Sequence, residues 1–127
     1  MKSKPKVFIV DDEPLLAEML TDYLKEKNEG FIIESFSTGE ACLKKLHEQP
    51  DAIVLDYYLN SKQTNAANGI DVLKEIKRKD KKIPVIMLSS QTSYVTASTT
   101  IRDGAVHYVI KGTQAFEEIY NVLKFNM

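Results

Sequence analysis

The segment Ala52-Ile53-Val54-Leu55-Asp56 is apolar at four successive positions and then ends on a carboxylate. Two other stretches have the same form: Val7-Phe8-Ile9-Val10, which leads into Asp11-Asp12-Glu13, and Ile83 to Leu88, which leads into Ser89-Ser90. Each is strand-length and apolar throughout rather than at alternate positions, the pattern of strands covered on both faces in a buried parallel sheet.

Helical spacing fills the intervals. Pro14 to Asn28 sets Leu16, Met19, Leu20, Tyr23 and Leu24 three or four residues apart, with Pro14 suited to a first turn, Glu13 and Glu18 to the positive helix end, and Gly30 to the stop. Phe31 to Phe36 reads as a strand. Ser37 with Glu40 has capping-box spacing for a helix through Ala41, Leu43 and Leu46 that Pro50 ends. A polar stretch, Asn60 to Asn68, precedes a helix from about Gly69 carrying Ile70, Leu73 and Ile76. Gln91 to Arg102 is rich in Ser and Thr, offers only Tyr94, Val95, Ala97 and Ile101 to a core, and reads as a weak helix. Gly104 precedes a fifth strand, Val106 to Ile110, and Thr113 can cap a last helix bearing Phe116, Ile119, Tyr120 and Leu123. Five strands alternating with five helices predict an α/β fold of flavodoxin-like (βα)5 type. It is a three-layer sandwich with a five-stranded parallel sheet in order 2-1-3-4-5 and helices on both faces.

Composition fits one such domain over residues 1–127. The chain is 43% apolar, and its 17 Lys plus Arg against 18 Asp plus Glu leave a net charge of −1, so no overall field draws it to nucleic acid or membrane. Cys42 is the sole cysteine, and His47 and His107 are the only histidines, which excludes an internal disulfide and a Cys- or His-based metal cage. Neither a signal peptide nor an 18-residue apolar run is present, so a cytoplasmic location is expected. The basic run Lys77 to Lys82 falls where the third helix ends, as the negative dipole end favours, and reads as a solvated face.

In a sheet of this order the site lies beyond the carboxyl ends of the strands, where the order reverses. The residues leaving the strands are Asp11-Asp12, Asp56, Ser89-Ser90 and Lys111. Three carboxylates at one edge repel unless a cation joins them, and Lys111 can neutralise only one. Mg²⁺ suits a few hard oxygens plus waters and a phosphoryl oxygen. With it, Asp56 can attack phosphorus while Lys111 and Ser89 hold the developing charge, giving an aspartyl phosphate.

These residues resemble the response-regulator receiver domains of bacterial two-component signalling. The resemblance rests on Asp11-Asp12, Val54-Leu55-Asp56, Val85-Ile86-Met87-Leu88-Ser89-Ser90 and Gly104-Ala105 … Tyr108-Val109-Ile110-Lys111, in family order and over nearly the whole chain. It implies Asp56 as phosphoacceptor, Mg²⁺ on Asp11, Asp12, Asp56 and the Tyr58 backbone carbonyl, and Ser89 and Lys111 as sensors of the phosphoryl group. Tyr108 would be the aromatic that changes rotamer with Ser89. The implied role is a phosphorylation-dependent switch that catalyses its own modification and turns over no external metabolite. Its partners would be a histidine kinase or phosphotransfer protein and a downstream effector, either a separate protein or a domain outside this chain, with the protein itself a monomer or weak homodimer. Leu15, beside the first helix's apolar stripe, is a candidate contact for the kinase.

Three departures from the family stand out. Gly112 follows Lys111 where a cis-bonded Pro is usual; a cis non-proline bond costs about 3 kcal/mol, so a trans bond is expected. Asn60 stands where a Pro is common, and Ser61 to Asn68 lengthens the loop beside Asp56. Tyr58 and Gln91 flank the path of an attacking water, which predicts slow self-dephosphorylation. Among other readings, an aspartyl-phosphate hydrolase of the haloacid-dehalogenase type wants Asp-x-Asp after the first strand, and a flavin site wants a phosphate-holding loop there; Asp11-Asp12-Glu13 is neither. A degenerate receiver used only for docking is the remaining alternative.

Overall fold

A computed structural model describes residues 4–59 and 68–127. Its strands are β1 (Lys6–Val10), β2 (Ile32–Phe36), β3 (Ala52–Asp56), β4 (Val85–Ser89) and β5 (His107–Ile110), all parallel in order β2-β1-β3-β4-β5. Its helices are α1 (Pro14–Lys27), α2 (Gly39–Lys44) with a 3-10 turn at Leu46–Glu48, α3 (Gly69–Lys79), α4 (Tyr94–Arg102) and α5 (Ala115–Asn126). This is the predicted (βα)5 topology. The Ser61 to Asn68 insertion lies outside the described residues except for Asn68, whose Oδ1 caps α3 by accepting from the Asp71 N–H at 3.0 Å.

The central strands are buried on both faces, and side-chain alternation divides the core in two. Phe8, Val10, Ile53, Leu55 and Met87 face α2 and α3, where they meet Cys42, Val72, Leu73 and Ile76. Val7, Ile9, Val54, Ile86 and Val109 face α1 and α5, where they meet Leu20, Leu24, Ile119 and Leu123. Cys42 has no exposed surface, and burial, seconded by the charge of Glu34, pushes its thiol up to about 12.

Several local expectations are corrected. The cap of α2 is Thr38, whose Oγ1 accepts from Ala41 N–H, rather than Ser37. That helix stops at Lys44 instead of continuing through Leu46, and the chain turns through Gln49 at a φ of 56°. Helix α1 ends at Asn28, whose side chain takes the Gly30 N–H, so Gly30 is not the cap. Its buried line is Ala17, Leu20 and Leu24, while Met19 is half exposed: the small Ala17 lets the helix approach the sheet, turning Met19 outward. Gln114, not Thr113, precedes α5. In α4 the apolar residues Tyr94, Val95 and Ile101 are exposed and Thr100 is the buried one. In the basic run Arg78, Lys79, Lys81 and Lys82 are exposed as expected, but Lys77 is half-buried: its ammonium donates to the Ile83 and Lys81 carbonyls, and its stem fills the space beside Gly104, which has a φ of 116°. No cis peptide bond occurs among the described residues, so Lys111–Gly112 is trans as expected.

Candidate functional site

The carboxyl ends of the strands are tied together by backbone hydrogen bonds that carry the ladder past each strand. Asp11 N–H donates to the Phe36 carbonyl (3.0 Å), Tyr57 N–H to Leu88 (2.9 Å), and Lys111 N–H to Ser89 (2.8 Å). The side chains that follow are thereby held on elements rather than on free loops. Asp11, Asp12 and Asp56 are each buried, with one oxygen apiece inside a cluster no wider than 4.8 Å.

Lys111 reaches in from β5 with its ammonium 3.2 Å from Asp56 Oδ1, which also accepts the Tyr58 N–H at 3.3 Å. Asp56 Oδ2 is buried and accepts no hydrogen bond among the described residues. Asp11 Oδ1 accepts the Glu13 N–H at 2.8 Å.

Burial raises the Asp11 carboxyl to about 7, with the neighbouring Asp56 charge adding to the effect against the Glu13 hydrogen bond and Lys111. Burial likewise lifts Asp56 despite the opposing pull of Lys111. Burial works to lower Lys111, but the charge and hydrogen bond of Asp56 together with the charges of Asp11 and Glu13 outweigh it, and the ammonium is held above its ordinary range. A site so arranged is short of positive charge. The donor set, three buried carboxylates including an oxygen with no donor among the described residues, fits a hard divalent cation such as Mg²⁺.

Ser89 is fully buried at the end of β4, where its Oγ accepts the Gln91 N–H at 3.0 Å. The Gln91 carbonyl in turn accepts the Tyr108 hydroxyl at 2.9 Å. One peptide segment thus connects Ser89 with Tyr108. Tyr58 stacks edge-on with Tyr57, their rings 4.9 Å apart. Leu15 is 69% exposed on α1, directly after the acidic loop.

Sequence reading gave no weight to two features. Gly69 sits where an added Cβ would lie 2.4 Å from the Asp56 carbonyl oxygen, so the start of α3 presses against the Asp56 backbone. A glycine opening a helix right after the site loop was the available signal. Glu13 was read only as a helix-end acid, but its carboxylate lies 3.9 Å from the Lys111 ammonium.

The response regulator receiver domain model matches residues 7–124. Transcriptional regulatory protein CssR of Bacillus subtilis is 35% identical over 118 residues, 93% of this chain and 49% of that protein. DNA-binding response regulator MtrA of Mycolicibacterium smegmatis is 36% identical over 109 residues, 85% and 44% of the two chains. This chain therefore spans about half the length of these curated relatives.

Among solved structures, response regulator protein TrrA of Thermotoga maritima, in complex with Mg²⁺ and BeF, superposes with a TM-score of 0.81 at 29% identity, covering 97% of this chain and 99% of that one. The receiver domain of a Francisella response regulator, 23% identical, shares the fold at a TM-score of 0.82 over 95% and 94% of the chains. No described helix is long and apolar enough to cross a membrane. Matched from its first core strand into its last helix, the chain belongs to the response regulator receiver domains, the signalling domains of two-component systems rather than a family of metabolic enzymes.

Proposed function

We propose that Asp56 is the phosphoacceptor of a phosphorylation-dependent switch, and that a histidine kinase or phosphotransfer protein is the donor. The observation that carries this reading is the division of labour on one buried carboxylate: Oδ1 is held by Lys111 and the Tyr58 N–H, while Oδ2 has no donor among the described residues. In the transfer, an Asp56 oxygen forms a bond to phosphorus as the bond from phosphorus to the donor nitrogen breaks. The electron pair leaves on that nitrogen.

Asp11, Asp12 and Asp56, with the Tyr58 carbonyl, would hold Mg²⁺, which supplies charge neutralisation at the phosphoryl oxygens when bound. The TrrA relative, solved with Mg²⁺ and BeF, supports that assignment by likeness. Lys111 steadies charge on the transferring group and Ser89 donates its hydroxyl to it. The modification adds roughly −1.5 to −2 of charge. Ser89, moving toward the new group, would release the Gln91 N–H and disturb the Tyr108 hydrogen bond, which gives Tyr108 its part in the switch. The output passes to an effector outside these residues. A cytoplasmic setting, a monomer or weak homodimer, and kinase contact through exposed Leu15 complete the proposal.

The test is incubation with acetyl phosphate and Mg²⁺, read by intact mass. The protein gains one phosphoryl group and Asp56→Asn gains none; no uptake, or equal uptake by the variant, overturns the switch and leaves the docking-only reading. With Tyr58 and Gln91 beside the site, the isolated phosphoprotein holds its label for longer than seconds, a lifetime followed by loss of mass after donor removal.

A further inference from the structure

Glu13 occupies the N-cap position of α1 yet makes no capping hydrogen bond with its side chain. That position is normally used to satisfy the helix's first amides. Here the carboxylate instead lies 3.9 Å from the Lys111 ammonium, which Asp56 also contacts at 3.2 Å. Lys111 is thus shared by two anions, one buried and one 60% exposed at the entrance.

The backbone at Lys111 is fixed, its N–H donating to the Ser89 carbonyl at 2.8 Å and the Gly112 carbonyl accepting from the Ala115 N–H at 3.2 Å, while an added Cβ at Gly112 would meet no atom within 4 Å. The ion pairs of the ammonium are those with Asp56 and Glu13. An incoming phosphodonor, itself an anion, must take a share of Lys111 while passing the Glu13 charge.

Resting on the assignment of Asp56 as phosphoacceptor, we propose that Glu13 is a positioning residue that shares Lys111 with Asp56 and selects phosphodonors by charge, disfavouring dianions relative to monoanions. The covalent step is unchanged: an Asp56 oxygen bonds to phosphorus while the donor's P–O or P–N bond breaks, and the leaving group departs with the electron pair. Glu13 acts before that step, on the approach of the donor and the position of Lys111.

The discriminating measurement compares initial phosphorylation rates with acetyl phosphate, a dianion near neutral pH, and phosphoramidate, a monoanion, at saturating Mg²⁺ and several ionic strengths. In Glu13→Gln the ratio of acetyl phosphate rate to phosphoramidate rate rises roughly threefold to tenfold, as expected for deleting one charge that shares an ammonium with Asp56 in a partly wet pocket. Added salt, which screens the Glu13 charge, raises that ratio in the wild type and changes it less in the variant. Glu13→Asp, which keeps the charge, moves the ratio less than Glu13→Gln. Glu26→Gln, exposed near the far end of α1, controls for net charge and leaves the ratio alone.

A ratio unmoved in Glu13→Gln while the wild type still takes up phosphoryl groups overturns the role of Glu13 alone, as does an equal change in Glu26→Gln. A wild type that takes up none from either donor overturns this inference together with the reading of Asp56.

Discussion

Helix α3 follows the strand that ends in Asp56 and helix α4 the strand that ends in Ser89, yet the two are held to the sheet by different means. Helix α3 buries Val72, Leu73 and Ile76 completely, and Gly69 at its start lies against the Asp56 backbone. Helix α4 buries only Thr100, whose hydroxyl is spent on its own helix by donating to the Thr96 carbonyl at 2.8 Å, and it leaves Tyr94 and Val95 exposed. The charge-bearing side of the site is therefore seated on a packed element, and the hydroxyl-bearing side on one held by few apolar contacts. Small forces at Ser89 meet less resistance than the same forces at Asp56.

That contrast can be broken by mutation. Ile76→Ala, emptying the fully buried anchor of α3, costs about 2–5 kcal/mol in urea unfolding. Within α4 the costs are smaller and graded: Thr100→Ala loses about 1–2 kcal/mol, through a buried methyl and an intrahelical hydrogen bond, while Val95→Ala stays within about 0.5 kcal/mol. If Val95→Ala cost as much as Ile76→Ala, α4 would be packed in solution by a surface absent here, and the distinction between the helices would fall.

The parallel sheet was readable because runs such as Val7 to Val10 and Ala52 to Leu55 are apolar without alternation, and only two-sided burial makes that pattern stable. The acidic site was readable from the same runs, since Asp11, Asp12 and Asp56 stand at their ends. What escaped was decided by tertiary context. Ser37 and Thr38 are both sound caps, and only the path of the chain out of β2 selects Thr38. Tyr94, Val95 and Ile101 look like core residues by type, but α4 turns Thr100 inward. Lys77 looked like one charge in a solvated run, and its partial burial depends on Gly104, distant in sequence, leaving room for its stem. The Glu13 to Lys111 contact likewise joins residues almost a hundred positions apart, beyond the reach of local spacing.

Cys42 has a practical consequence. The one thiol of the chain is buried on the core side of α2 and stays protonated at any ordinary pH. A cysteine introduced at Val95, which is 72% exposed, would accordingly be modified alone by maleimide reagents in the folded protein. Fluorescent or spin labels could then be placed on α4 with Cys42 kept in its core position, so that movement of this helix is recorded in an otherwise unaltered interior.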